Sequence, residues 1–129
     1  MKAPPLRDHP PFAIASGFAI TLGYPYRLPS SRIEQLRQLI ANDPTSIFAR
    51  YGLAMAYVQQ GELEQAIPEF EAVLRQDPAY SAAYYHGGQT FEKLGRLDQA
   101  RGFYRRGLAV ASDPHARGEL QAALDILGD

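Results

Sequence analysis

Three histidines, His9, His86 and His115, are the imidazoles available for acid–base work or metal ligation, and they are scattered with no pair at ligand spacing. That spacing argues against a zinc centre. The chain has no cysteine, so disulfides, thiolate nucleophiles and sulfur-ligated metals are excluded. The run His86-Gly87-Gly88 has the look of an oxyanion-hole motif. It falls inside an expected helix, however, and no Gly-x-Ser-x-Gly nucleophile elbow accompanies it. A Gly-Lys-Ser/Thr phosphate loop, a dinucleotide fingerprint and a kinase signature are also missing. Arg96, Arg101, Arg105 and Arg106 gather on one stretch, with Arg101 and Arg105 sharing a helix face. They read either as a phosphate or acidic-peptide patch or as a solvated outer face with Glu and Asp neighbours. The expectation is a protein that is not an enzyme and has no cofactor and no metal, which leaves non-covalent binding as its mode of action.

The 129 residues can support one compact domain, with 46% hydrophobic and 21% charged side chains. Thirteen basic against fourteen acidic residues leave a net charge of -1, which gives no electrostatic reason to bind nucleic acid or anionic lipid. The cytoplasm is the expected location. Six of the ten prolines fall in residues 1–29, and that break marks the main boundary of the chain.

Beyond it the sequence repeats itself at an offset of 34 residues. Ala49 aligns with Ala83, Tyr51 with Tyr85, Gly61 with Gly95, Leu63 with Leu97, Ala66 with Ala100 and Leu74 with Leu108. A period in this range indicates stacked supersecondary units. The same offset runs backwards, with Asp43-Pro44 matching Asp77-Pro78 and Leu36, Leu39 and Ile40 matching Phe70, Val73 and Leu74. Each unit reads as two helices. Ser46 caps the first helix of the first unit, and Gly61 ends it in a left-handed conformation. A second helix runs from about Leu63 to Gln76 with Pro68 in or near its first turn. Ser31 with Glu34 has the capping-box pattern. Asp113-Pro114 opens a last helix, whose Leu120, Ala123, Leu124 and Leu127 form one apolar stripe. The organisation expected is a Pro-rich apolar segment over 1–29 and a helical domain over 30–129. That domain divides into a half-repeat helix at 30–44, repeats at 47–80 and 81–112, and a capping helix at 113–127.

A unit of 34 residues built as helix-turn-helix resembles the tetratricopeptide repeat. Leu53-Ala54, Tyr57, Ala66, Phe70 and Pro78 match its large, small, aromatic and proline positions in the first repeat. Tyr84, Gly88, Phe91, Ala100, Tyr104 and Gly107 do so in the second. Arg50 departs from the pattern where an aromatic is usual, as do Gly87 where a large apolar residue is usual and Val73 where Ala is usual. The second repeat reaches its proline two residues late, which suggests an altered exit for the last helix. The resemblance implies an all-α helical solenoid of about six helices, wound as a right-handed superhelix. In such a solenoid the first helix of each repeat lines a concave face that binds a protein or peptide.

Phe48, Tyr51, Met55 and Val58 form a second apolar stripe on the first helix of repeat one, opposite its core face. Either neighbouring elements bury this stripe or part of it stays open as a partner groove. On the equivalent face of repeat two, Ala82, Tyr85, Gln89, Glu92 and Lys93 turn polar. The expected contact residues are Phe48, Tyr51, Met55, Tyr85, His86, Gln89 and Lys93. Aromatic burial would supply the affinity, and Gln89 and Lys93 the direction. Some members of the family grip a C-terminal carboxylate with Lys, Asn and Arg. The corresponding positions here include Tyr51, Met55 and His86, so an acidic chaperone-type C-terminus is not the expected ligand.

The apolar run from Pro11 to Leu22 is too short to span a bilayer, and no small-x-small cleavage site follows it. Three readings stay open for residues 1–29. They are the missing first helix of the half-repeat, a self-association element of a homodimer, or a segment disordered or foreign to the natural product. The expected function is an adaptor, scaffold or assembly factor, and the alternative is a structural self-association module.

Overall fold

A computed structural model describes residues 31–128, which form six helices in series. They are α1 (Arg32–Asn42), α2 (Ile47–Gln59), α3 (Leu63–Gln76), α4 (Ser81–Lys93), α5 (Leu97–Val110) and α6 (Pro114–Leu127). No strand occurs among the described residues, and the class is an all-α helical repeat. The expectations for residues 1–29 lie outside the described residues.

Local chemistry explains the boundaries. The Ser46 hydroxyl accepts from the Ala49 amide at 3.1 Å, which satisfies one of the orphan donors at the start of α2. The Asp113 carboxylate does the same for Ala116 at 2.9 Å and opens α6. Between α2 and α3 the chain turns through Gly61 at φ 79°, and between α4 and α5 through Gly95 at φ 78°. A side chain is strained in that region, so the two glycines recur at the repeat period for a backbone reason. Pro68 falls one turn deeper than its expected place, as the sixth residue of α3, where its missing N–H leaves the Glu64 carbonyl without a helical partner.

Each helix packs on the next, and α4 also touches both α2 and α6, whereas the backbones of α3 and α5 stay apart. The first helices of successive pairs are therefore the inner row of a curved stack, and the second helices are the outer row. Ala66 and Ala100 have no exposed surface where the paired helices cross, as the small-residue pattern requires. Phe70, Phe91, Tyr104 and Leu120 fill the space between pairs. The buried hydroxyl of Thr90 donates back to the His86 carbonyl at 2.7 Å, and that of Tyr84 donates to the Pro78 carbonyl at 2.8 Å.

The departures from the repeat pattern acquire physical explanations. Arg50 replaces an aromatic contact with an ion pair to Glu69 on α3, at 3.1 Å. At Gly87 a Cβ would lie 2.5 Å from the Phe103 ring, so that ring takes the volume of the large side chain the pattern asks for. At Gly88 a Cβ would lie 2.3 Å from the Tyr104 ring. The His-Gly-Gly run is thus a landing site for two aromatic rings. Pro114 is not displaced within a longer turn. It is the first residue of α6, and only Ala111, Ser112 and Asp113 separate α5 from α6. Arg117 secures this short turn by donating to the carbonyls of Leu108 at 2.7 Å and Ala111 at 2.9 Å. On α1, Leu39 is 47% exposed where its repeat equivalent Val73 is fully buried, because among the described residues α1 packs only against α2.

The glycine contacts give a paired expectation for thermal denaturation. Gly88→Ala drives a methyl into the Tyr104 ring, and overpacking of this kind costs about 1–3 kcal/mol. That corresponds to a Tm lower by several degrees in a domain of this size. Gly102→Ala, also mid-helix but with open space around it, raises stability by about 0.5–1 kcal/mol through helix propensity.

Candidate functional site

The inner row carries a ladder of rings. Tyr51 on α2 meets the His86 ring on α4 at 6.1 Å between centroids, and His86 meets Tyr85 at 5.1 Å, both edge to face. Tyr51 also meets Tyr80 at 5.3 Å and Phe70 at 6.2 Å, and Tyr85 meets Tyr104 at 6.4 Å. Edge-to-face rings at these separations hold one another in place, with a gain of about 0.5–1.5 kcal/mol per pair beyond area burial. Gln89 Nε2 donates to the Tyr85 hydroxyl at 3.1 Å, which orients the amide across the next turn of α4.

Of the seven residues expected at the contact face, the structure brings Tyr51, His86, Tyr85 and Gln89 into one connected group. Tyr51, Met55 and Val58 are half-buried against the core, while Phe48 stands 75% exposed at the start of α2. The stripe is therefore buried in part and exposed in part. Lys93 is exposed at the end of α4, close enough for its charge to act on His86.

Further residues join the face from outside the expected set. Tyr80 enters from the turn before α4. From α6, Glu119, Ala122, Ala123 and Ile126 join Tyr85, Gln89 and Glu92 around a cleft of about 300 Å³. The spacing of those α6 residues, i, i+3, i+4 and i+7, is the signal that could have found them. The arginines on α5 and its approach are occupied within the chain. Arg96 pairs with Glu64, Arg101 pairs with Asp98 at 2.9 Å, and Arg106 lies over the rings of Tyr84 and Phe103 at 5.2 and 5.3 Å. Arg96 and Arg101 thus have the acidic neighbours that the outer-face reading expects, whereas Arg106 lies on aromatic rings. Among the described residues no group of three His, Asp or Glu side chains could hold a metal ion. Among them, too, no helix is long and apolar enough to cross a membrane.

The family model described as the tetratricopeptide repeat matches residues 51–117. A TPR repeat-containing protein of Pseudomonas aeruginosa is 32% identical over 94 residues, which cover 73% of this chain and 87% of that protein. Among solved structures, the tetratricopeptide repeat domain protein of Salinibacter ruber is similar at 34% identity and a TM-score of 0.61, covering 66% of this chain and 89% of that one. The second TPR domain of the human RPAP3 protein, solved in complex with an HSP70 peptide, is 26% identical with a TM-score of 0.61. The match covers 70% of this chain and 76% of that one.

Electrostatics tie α6 to the ladder. Burial pushes the Tyr51 phenol up to about 12, with Tyr80 and Glu119 adding to the effect. Burial raises the Tyr104 phenol as well, helped by the Glu92 carboxylate that accepts its proton. Burial lowers His86 below its ordinary 6.5 and Lys93 lowers it further, while Glu119 and the Gln89 hydrogen bond oppose the shift. The unfolded chain therefore takes up the His86 proton first. The native state loses stability as pH falls from 6.5 toward the folded value, and above 6.5 this group contributes no pH dependence. In an NMR titration of the imidazole Cε1–H resonances, His86 is expected to titrate below 6.5. Glu119→Gln is expected to move it lower still, because the opposing negative charge is gone. An unmoved His86 would mean that the α6 carboxylate does not face the ladder.

Proposed function

The chain belongs to the tetratricopeptide repeat family, and from that membership we propose that it is a non-catalytic adaptor, scaffold or assembly factor that docks a peptide or partner helix on the inner row of helices. The family is a protein-interaction fold, and a neighbour of known structure holds a peptide. The observation that carries the proposal is the continuous ladder Tyr51–His86–Tyr85, half-buried and fixed by its neighbours, with Phe48 left open beside it. Pre-ordered aromatic side chains lose little entropy on binding and supply large contact area. Phe48, Tyr51 and Met55 would anchor an apolar side chain of the ligand, and Tyr85, His86, Gln89 and Lys93 would set its direction. We assign this work to repeats 47–80 and 81–112 within a domain over 30–129, closed by the helix over 113–127, with 1–29 as a separate segment. Cytoplasmic location remains part of the same proposal.

The RPAP3 domain was solved with the acidic peptide SGPTIEEVD. Here Tyr51, Met55 and His86 stand where a carboxylate clamp would need Lys, Asn and Arg, so the ligand is of another type. A second reading, self-association into a homodimer, draws on Leu39 of α1, which is nearly half exposed. Light scattering across a concentration series separates the two, with a constant monomer mass expected for an adaptor.

Docking itself is tested by selecting a random peptide library on the full-length chain. Peptides recovered on the wild type are expected to bind with micromolar Kd and to lose about tenfold on Phe48→Ser, the loss of one exposed aromatic anchor. Phe48 is outside the core, so the melting curve should not move. Peptides that bind the variant equally well, or a micromolar complex with SGPTIEEVD lost on Tyr51→Ala, would overturn the proposal as stated.

A further inference from the structure

The inner row changes character along its length. At the α2 end it offers Phe48, Tyr51 and Met55, whereas among the described residues the cleft between α4 and α6 is bordered by two carboxylates, Glu92 and Glu119, and by no cation. Between the carboxylates lie the Tyr85 ring, Gln89, Ala123 and Ile126, the last 82% exposed. A large aliphatic side chain left this open beside a concave surface offers contact area that nothing among the described residues uses.

The two glutamates are held in different ways. Glu92 receives the Tyr104 hydroxyl on one oxygen, which fixes the carboxylate while leaving it further acceptor capacity toward the cleft. Glu119 is exposed, and its ion-pair contact is with His115 one turn earlier on its own helix, at 3.6 Å. Its charge nevertheless reaches both Tyr51 and His86, so its negative potential extends over the ladder. Lys93, the cation nearest His86 on α4, is exposed and does not line the cleft.

Building on the docking reading above, we propose that the α4–α6 cleft takes an arginine or lysine side chain of the docked peptide, with a large apolar residue of the same peptide seated beside it on Ile126 and Ala123. A cation there would meet the face of an aromatic ring and two carboxylates. An anion would meet two like charges. The apolar rim receives the aliphatic stem of the basic residue as well as its neighbour, since Lys and Arg bury their stems along apolar surface. The peptide class is therefore basic and apolar in adjacent positions, opposite in charge to the acidic peptide on the RPAP3 domain.

A random twelve-residue peptide library displayed on phage, selected in parallel on the full-length wild type and on Glu119→Gln, tests this. Sequencing of the wild-type pool is expected to show Arg and Lys next to Leu, Ile, Phe or Met enriched about two- to fivefold over the input, the gain of one exposed cation–carboxylate contact. That enrichment should shrink on Glu119→Gln and at high salt. Glu119 is exposed, so the variant should fold as the wild type does. A pool that depends on Phe48 but is uncharged or acidic would overturn the charge inference and leave the docking reading standing. A basic preference unchanged on Glu119→Gln would remove the cleft as its origin. A selection that enriches nothing would bring down both.

Discussion

Two successive glycines on α4 let two successive rings of α5 approach its backbone, and much of the domain depends on that contact. The Phe103 and Tyr104 rings occupy the positions that side chains at Gly87 and Gly88 would take. The exchange recurs at Gly107 on α5, where a Cβ would lie 2.8 Å from Tyr84 Cβ on α4 and 3.0 Å from Leu120 on α6. Large residues on one helix thus face absent side chains on the other, a close form of the knob-and-hole packing that sets helix separation. The contact also builds the site. Tyr104 passes beside Gly88, its ring comes within 6.4 Å of Tyr85, and its hydroxyl holds the Glu92 carboxylate. The side chain that makes the core contact also holds a carboxylate on the wall of the cleft.

Local and repeated features were legible in the sequence because each rests on a short-range rule. The period of 34 residues, the Ser46 and Asp113 caps, the glycine turns at Gly61 and Gly95, and the alanines at the helix crossings all depend on residues within a turn or a repeat of one another. Tyr51 on α2, and Tyr85 and Gln89 on α4, were legible for the same reason, since helical spacing places each on one face of its helix. What escaped requires distance in sequence. That Phe103 fills the gap at Gly87 depends on how α5 leans on α4, and spacing along a single helix carries no trace of it. Tyr80 was missed because it lies in a turn, where face periodicity does not apply. On α6 the apolar stripe of Leu120, Ala123, Leu124 and Leu127 drew the reading of a cap, and the second face, with Glu119 and Ile126, went unread although its spacing is equally regular.

The helix that carries most of the candidate site has little helical preference of its own. Within α4 the run from Tyr84 to Gly88 places two aromatic residues, a histidine and two glycines in succession, and each glycine costs about 1 kcal/mol relative to alanine in a helix. A segment of 13 residues with that composition would not hold a helix alone in water. Its order comes from α3, α5, α2 and α6, which surround it. Every face of α4 is therefore committed. Gly87 and Gly88 receive rings from the outer row, Tyr84 and Phe91 enter the core, and Tyr85 and His86, with Gln89 bonded to Tyr85, belong to the ring ladder on the inner row. A surface supported in this way is preformed only while the stack is intact, which couples the order of the inner row to the stability of the outer row. The ladder and the glycine contacts are thus two sides of one helix, and a change that loosens α5 reaches the inner face through Tyr104 without touching any residue exposed there.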